Sequence, residues 1–139
     1  MEQEANDSDI WNGSQALVQI ILGEPASKAN SRKMVLIGGR PRLIKSAKAL
    51  AYVESFKRQA KPLQPLISQD VRVTIFIFYA SRRPDLDESL ILDLLQGVIY
   101  VNDRQVKEKH IFWGLDKENP RAEIIVETME EKSPALRRG

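Results

Sequence analysis

Apolar positions along the chain switch between two spacings, and the switches mark the elements. Ala16 to Leu22 (Ala-Leu-Val-Gln-Ile-Ile-Leu) is a compact apolar run that predicts a first strand, broken by Gly23, Pro25 and Ser27. A basic loop or loose hairpin follows, with Met34 to Ile37 as one strand and Gly38-Gly39 as its turn. Ser46 is placed to cap a helix running to about Ala60. Its apolar positions Leu50, Val53, Phe56 and Ala60 recur at three- and four-residue intervals, and Pro62 and Pro65 end it. Val71 to Tyr79 (Val-Arg-Val-Thr-Ile-Phe-Ile-Phe-Tyr) is the clearest strand. Its second half is apolar at every position, which predicts a central strand covered on both faces. Helical spacing returns from Asp87, with Leu90, Ile91, Leu94, Leu95 and Val98 as a buried stripe and Gly97 near the end. His110 to Gly114 and Ala122 to Val126 read as two last strands, joined by a polar turn through Asp116 to Pro120. The order is β-β-α-β-α-β-β. This is a single small α+β domain over residues 15–128, a mixed sheet with two main helices. Residues 1–14 form a polar lead-in and 129–139 a charged tail.

Composition narrows the chemistry. At 139 residues and 42% apolar, the chain can build one real core. No apolar run approaches the roughly 20 residues of a membrane span, and the acidic start resembles no secretory signal. There is no cysteine, which excludes disulfides and thiolate metal sites and suits a reducing, cytoplasmic setting. His110 is the single histidine, so one chain offers no multi-histidine zinc site. The net charge of +2 says little, but its distribution says more. No acid occurs from Pro25 to Val53, a stretch that holds Lys28, Arg32, Lys33, Arg40, Arg42, Lys45 and Lys48. Such a local basic surface can bind phosphate on a nearly neutral chain, although most basic runs are solvated surface.

Three aspartates are the candidate chemistry: Asp85 and Asp87 in Arg82-Arg83-Pro84-Asp85-Leu86-Asp87-Glu88, and Asp103 in Val101-Asn102-Asp103-Arg104-Gln105-Val106. Side chains two apart in extended chain point to one side, and Pro84 stiffens the approach. Convergent carboxylates repel unless a divalent cation lies between them, and hard oxygen ligands suit Mg²⁺ or Mn²⁺. Plainer roles compete. Asp87 is a good helix cap, Asn-Asp is ordinary turn chemistry, and spacing alone favours those roles. Asp85 has the weakest ordinary explanation. Phe112 and Trp113 fit a core better than a base-stacking platform, and Asp93 fits the solvent side of its helix.

These motifs together resemble the RusA family of Holliday junction resolvases. The family's arginine-rich stretch, Asp-Leu-Asp-Asn, apolar helix and acidic turn with Gln-Val are matched by Arg82 to Glu88, the helix to Gln96, and Asn102 to Val106. Pro25, Ser27 and Asn30 resemble its Pro-Ser-x-Asn turn, and Pro120-Arg121-Ala122-Glu123-Ile124 its final strand, so the likeness spans most of residues 17–127. The resemblance implies a homodimeric endonuclease that nicks four-way DNA junctions symmetrically with Mg²⁺ or Mn²⁺, acting in DNA recombination and repair. It implies three essential aspartates, matched by Asp85, Asp87 and Asp103. On a DNA substrate, the basic residues Lys28, Arg32, Lys33, Arg40, Arg42, Lys45, Arg82, Arg83 and Lys107 are the expected phosphate contacts. Two positions depart. The family's helix lysine is Ile91 here and its asparagine is Glu88. Isoleucine cannot stabilise charge on phosphorus, so Lys107, Lys109, Arg82 or Arg83 is the candidate substitute. The alternative is a branched-DNA-binding dimer that cuts poorly.

Overall fold

In a computed structural model of the chain, residues 16–27 and 32–129 are described. The lead-in, nearly all of the charged tail, Lys28 and Asn30 lie outside the described residues. Along the chain run β1 (Ala16–Leu22), β2 (Arg32–Ile37), β3 (Arg40–Lys45), α1 (Ala47–Gln59), β4 (Val71–Tyr79), α2 (Ser89–Leu95), β5 (Val106–Leu115) and β6 (Arg121–Thr128). Four strands form one mixed sheet in the order β1-β6-β4-β5, and β2 and β3 form a separate hairpin. The α+β expectation holds. The last two strands are longer than expected. Of the two expectations, loop or loose hairpin, the hairpin is found: Arg40 to Lys45 is a strand of its own, and Gly38 and Gly39 adopt the left-handed φ of 60° and 77° that a tight two-residue turn requires.

β4 and β5 pair in parallel, with α2 in the connection between them, while β6 runs antiparallel to both β4 and β1. Register puts Val71, Val73, Ile75, Ile77 and Tyr79 of β4 on one face with Ile124 and Val126 of β6 and Ile21 of β1, all fully buried. Phe56 of α1, Leu95 of α2, and Ile99 and Tyr100 after α2 complete this core. Burial of each large side chain is worth roughly 1.5–3 kcal/mol, which makes this layer the main source of cohesion.

The other face of β4 departs from the double coverage expected. Arg72, Thr74, Phe76 and Phe78 are half-buried, not buried. Phe76 stacks on Phe112 at 4.8 Å, and the Arg121 guanidinium lies 4.1 Å from the Phe78 ring centre. These contacts shield aromatic surface without a second layer among the described residues. Phe112 is therefore not core as expected but 46% exposed, and Val18, Ile20 and Leu22 are exposed on the same face. Trp113 takes the opposite side and is half-buried against the core.

α1 begins as expected, with Ser46 Oγ accepting the Ala49 N–H at 3.1 Å. Its buried positions are Ala49, Tyr52 and Phe56, whereas Leu50 is exposed, so the helix is turned relative to the predicted stripe. α2 is shorter than predicted and begins two residues after Asp87. It ends at Leu95, and Gly97 at φ 80° turns the chain so that Val98 and Ile99 pack from a turn. Among the described residues, no helix is long and apolar enough to cross a membrane.

Candidate active site

The link from β4 to α2 is fixed by one side chain. Tyr79 Oη donates to the Asp85 carbonyl at 3.0 Å and accepts the Asp87 N–H at 3.2 Å. Burial pushes the Tyr79 hydroxyl above its usual pKa, so it remains a protonated donor at neutral pH. This bridge holds both aspartates of the Asp-Leu-Asp motif in one conformation. Asp87 is buried, and its Oδ1 accepts from Ser89 N–H at 3.0 Å and Ser89 Oγ at 2.8 Å. The helix-start role thus applies to Asp87, in the form of a turn closed onto Ser89. Asp85 is exposed, and its carboxylate makes no hydrogen bond or ion pair among the described residues.

Asp103 opens a single turn of 3-10 helix, Asp103–Gln105, just before β5. Turn chemistry was its plain explanation, but its neighbours do that work. Asn102 Oδ1 accepts the Arg104 N–H at 2.9 Å. Gln105 uses its whole amide: Oε1 accepts from Val101 and Asn102 N–H, and Nε2 donates to the Ile67 and Gln69 carbonyls. Gln96 Oε1, at the end of α2, takes the Asp103 N–H at 2.7 Å. The Asp103 carboxylate is left exposed and unpaired among the described residues.

Parallel pairing places Asp103 near Val71, at the beginning of β4, whereas Asp85 and Asp87 follow its end. The link to α2 doubles back over the sheet. Lys109, level with Val73 on β5, has its Nζ 2.6 Å from Glu88 Oε2, and it lines an open cavity of about 360 Å³ with Leu92, Asp103, Val106, Lys107 and Glu108. Among the described residues, no three Asp, Glu or His side chains come close enough to hold one ion. The donor types suit a hard divalent cation, and two of the three carboxylates have no competing partner, but the set is not drawn together in a single chain.

The basic stretch forms the β2–β3 hairpin. Lys33, Arg40 and Arg42 share one face by register, and Arg32 and Lys45, directly paired, share the other. Arg32 and Lys45 line a second, smaller cleft of about 90 Å³ with Ser89, Leu90 and Asp93. Cations therefore stand beside the residue that anchors Asp87. Asp93 is exposed as expected, but on this cleft. Arg82 lies over the Trp113 ring, 5.7 Å from its centre, and Arg83 and Lys107 are exposed. His110 is at the surface, with Nε2 2.6 Å from Glu108 Oε2. The hydrogen bonds from His110 and Arg72 hold the Glu108 carboxyl below its ordinary value. Ile91 is fully buried and offers no cation.

Sequence reasoning missed Tyr79 as the organiser of the aspartate link and Gln96 as the anchor of Asp103. Nothing in local patterning marks either. No curated protein matches the chain. The model of the family described as endodeoxyribonuclease RusA matches residues 23–127, which contain every element from Tyr79 to Val106 described above. By that match, the chain belongs to the RusA family of Holliday junction endodeoxyribonucleases.

Proposed function

We infer that this protein is a metal-dependent resolvase that nicks four-way DNA junctions symmetrically as a homodimer. One observation carries the reading beyond family membership. The turns around Asp85 and Asp103 are closed by Tyr79, Asn102, Gln96 and Gln105, so these two carboxylates are unspent, and Arg32 and Lys45 of the hairpin line a cleft with Ser89, the residue that holds Asp87. Carboxylates without a local structural duty, exposed beside cations, suit a site that takes a divalent ion and a phosphodiester. Asp85, Asp87 and Asp103, apart in the single chain, would have to be drawn together to hold Mg²⁺, with Mn²⁺ as the alternative ion. When bound, such an ion neutralises charge on the scissile phosphate and makes water a better nucleophile at neutral pH. Arg32, Lys33, Arg40, Arg42 and Lys45 bind the flanking phosphates, and Lys28 extends this set. Arg83 and Lys107 lie exposed near the aspartates, while Arg82 first has to leave Trp113. Two nicks in opposed strands need two sites, which a two-fold dimer supplies.

The test is nicking of an end-labelled synthetic junction with and without Mg²⁺, by the wild type and by Asp85→Asn, Asp87→Asn and Asp103→Asn. Each variant is expected to lose at least a hundredfold in rate while keeping its fold and junction affinity. Asparagine at 87 retains the oxygen that Ser89 grips. A variant that cuts at the wild-type rate in limiting Mg²⁺ removes its aspartate from the site. Burial of Ile91 favours a second reading, a branched-DNA-binding dimer that cuts poorly. Tight junction binding by the wild type with no nicking at any Mg²⁺ or Mn²⁺ concentration selects it.

A further inference from the structure

Alternation along β5 puts Lys109 on the same side as Ile111 and Trp113, the side that faces the helices. A lysine at a core-facing register position needs a reason. Here the side chain reaches the residue next to Asp87, with Nζ 2.6 Å from Glu88 Oε2. The Glu88 side chain is only 18% exposed and that of Lys109 49%, so a largely buried carboxylate holds the ammonium at the rim of the cavity that also holds Asp103. The other cations nearby are disposed differently. Arg82 is over Trp113, and Arg83 and Lys107 are exposed and grip no carboxylate among the described residues. Lys109 alone among these four spans the space between the Asp87 link and the Asp103 turn.

We propose that Lys109 is a catalytic residue for junction cleavage, contacting the scissile phosphate, and that Glu88 is its positioning residue. The proposal rests on the nuclease reading above. In the step, a water oxygen bonds to phosphorus as the bond from phosphorus to the leaving deoxyribose oxygen breaks. The attacking water gives up a proton to solvent, and the leaving oxygen takes one from solvent. Lys109 keeps its proton throughout. It meets negative charge that grows on the phosphoryl oxygens, and it is already oriented before substrate arrives, which is where a preorganised cation is most effective. Glu88 holds Nζ until the phosphate replaces its carboxylate.

The chain contains no cysteine, which permits a chemical test. Lys109→Met and Lys109→Cys are compared with wild type for melting temperature, junction affinity and single-turnover nicking at saturating protein and Mg²⁺. Both variants are expected to nick on the order of a hundredfold more slowly, the typical effect of losing one transition-state charge partner. Affinity is expected to change less than threefold and melting temperature to be unchanged. Alkylation of Lys109→Cys with 2-bromoethylamine rebuilds an amine of nearly lysine length at this position alone. It is expected to restore rate at least tenfold without changing affinity. Glu88→Gln is expected to slow wild-type nicking but to add no further loss to Lys109→Met. Nicking by Lys109→Met within threefold of wild type, or alkylation without recovery, overturns the assignment while leaving the nuclease reading intact. A wild type that does not nick overturns both.

Discussion

At the residue scale, two buried side chains bear charge or polarity consequences that can be measured. Ile91 is fully enclosed among the core residues, so Ile91→Lys would place an ammonium without a partner there. The expected cost is several kcal/mol at neutral pH. Its sign with pH is fixed by linkage. A buried lysine has a depressed pKa in the folded state, and the unfolded chain then binds more protons. Stability of the variant should therefore rise relative to wild type as pH increases toward the ordinary lysine value of about 10.4. Urea denaturation at several pH values checks this, and a pH-independent difference would show that the side chain escapes to water. Tyr52 presents the opposite case. Its ring packs near Phe56, and its hydroxyl is buried without a hydrogen-bond partner among the described residues. Burial pushes that hydroxyl far above its usual pKa, so it remains neutral. An unsatisfied buried hydroxyl is a net cost, and Tyr52→Phe removes it with little change in packing. Stability is expected to rise by about 1 kcal/mol, equivalent to a few degrees in melting temperature.

At the scale of elements, the turn before β5 has the most concentrated hydrogen bonding near the candidate site. Gln105 alone ties four backbone groups, from Ile67 to Asn102. Gln105→Met keeps the length and deletes all four bonds. The bonds are partly open to water, so the expected loss is about 1–3 kcal/mol, read as a lower urea midpoint with unchanged slope. Nicking should fall further than stability explains, because Asp103 is carried on this turn. Unchanged nicking would mean that Asp103 does not depend on the turn for its position. The motif Asp-x-Gln-Val was visible in the sequence, yet the role of its glutamine was not, because every partner outside the turn is more than thirty residues away. The strong periodicities of β1, β4 and α1 made those elements legible. The face of α1 was not, because Ala49 and Tyr52 score as weak core residues and Leu50 as a strong one, while tertiary packing chose the former. β3 was obscured by Pro41 and its cations, which suit an exposed hairpin strand as well as a loop. Of the candidate site, the three aspartates stand out in the sequence as residue types and spacings. Their separation across the parallel β4–β5 unit, and the Lys109–Glu88 link between its two ends, depend on topology that local pattern does not encode.

At the scale of the whole molecule, charge is segregated although the total is only +2. The hairpin presents Lys33, Arg40 and Arg42 on one face, all exposed, with Arg32 and Lys45 at its base beside α2. The acidic side chains near the sheet are largely engaged with cations of their own. Arg72 bridges Glu108 and Glu127, and Arg121 bridges Asp116 and Glu123. Those pairs cancel locally, which leaves the hairpin as the main unneutralised positive surface among the described residues. DNA bound there releases condensed counterions, so affinity should fall with salt at about 0.9 logarithmic units per phosphate contact for each tenfold rise. Changing Arg40, Arg42 and Lys45 together to alanine should reduce the magnitude of that slope by up to about 2.7 if each meets one phosphate. The substitutions are exposed, so melting temperature should be nearly constant. Affinity measured by fluorescence anisotropy from low to moderate salt gives both slopes. A triple variant with the wild-type slope would place the phosphate surface elsewhere, and the aspartate link and hairpin would then not act on the same DNA strand.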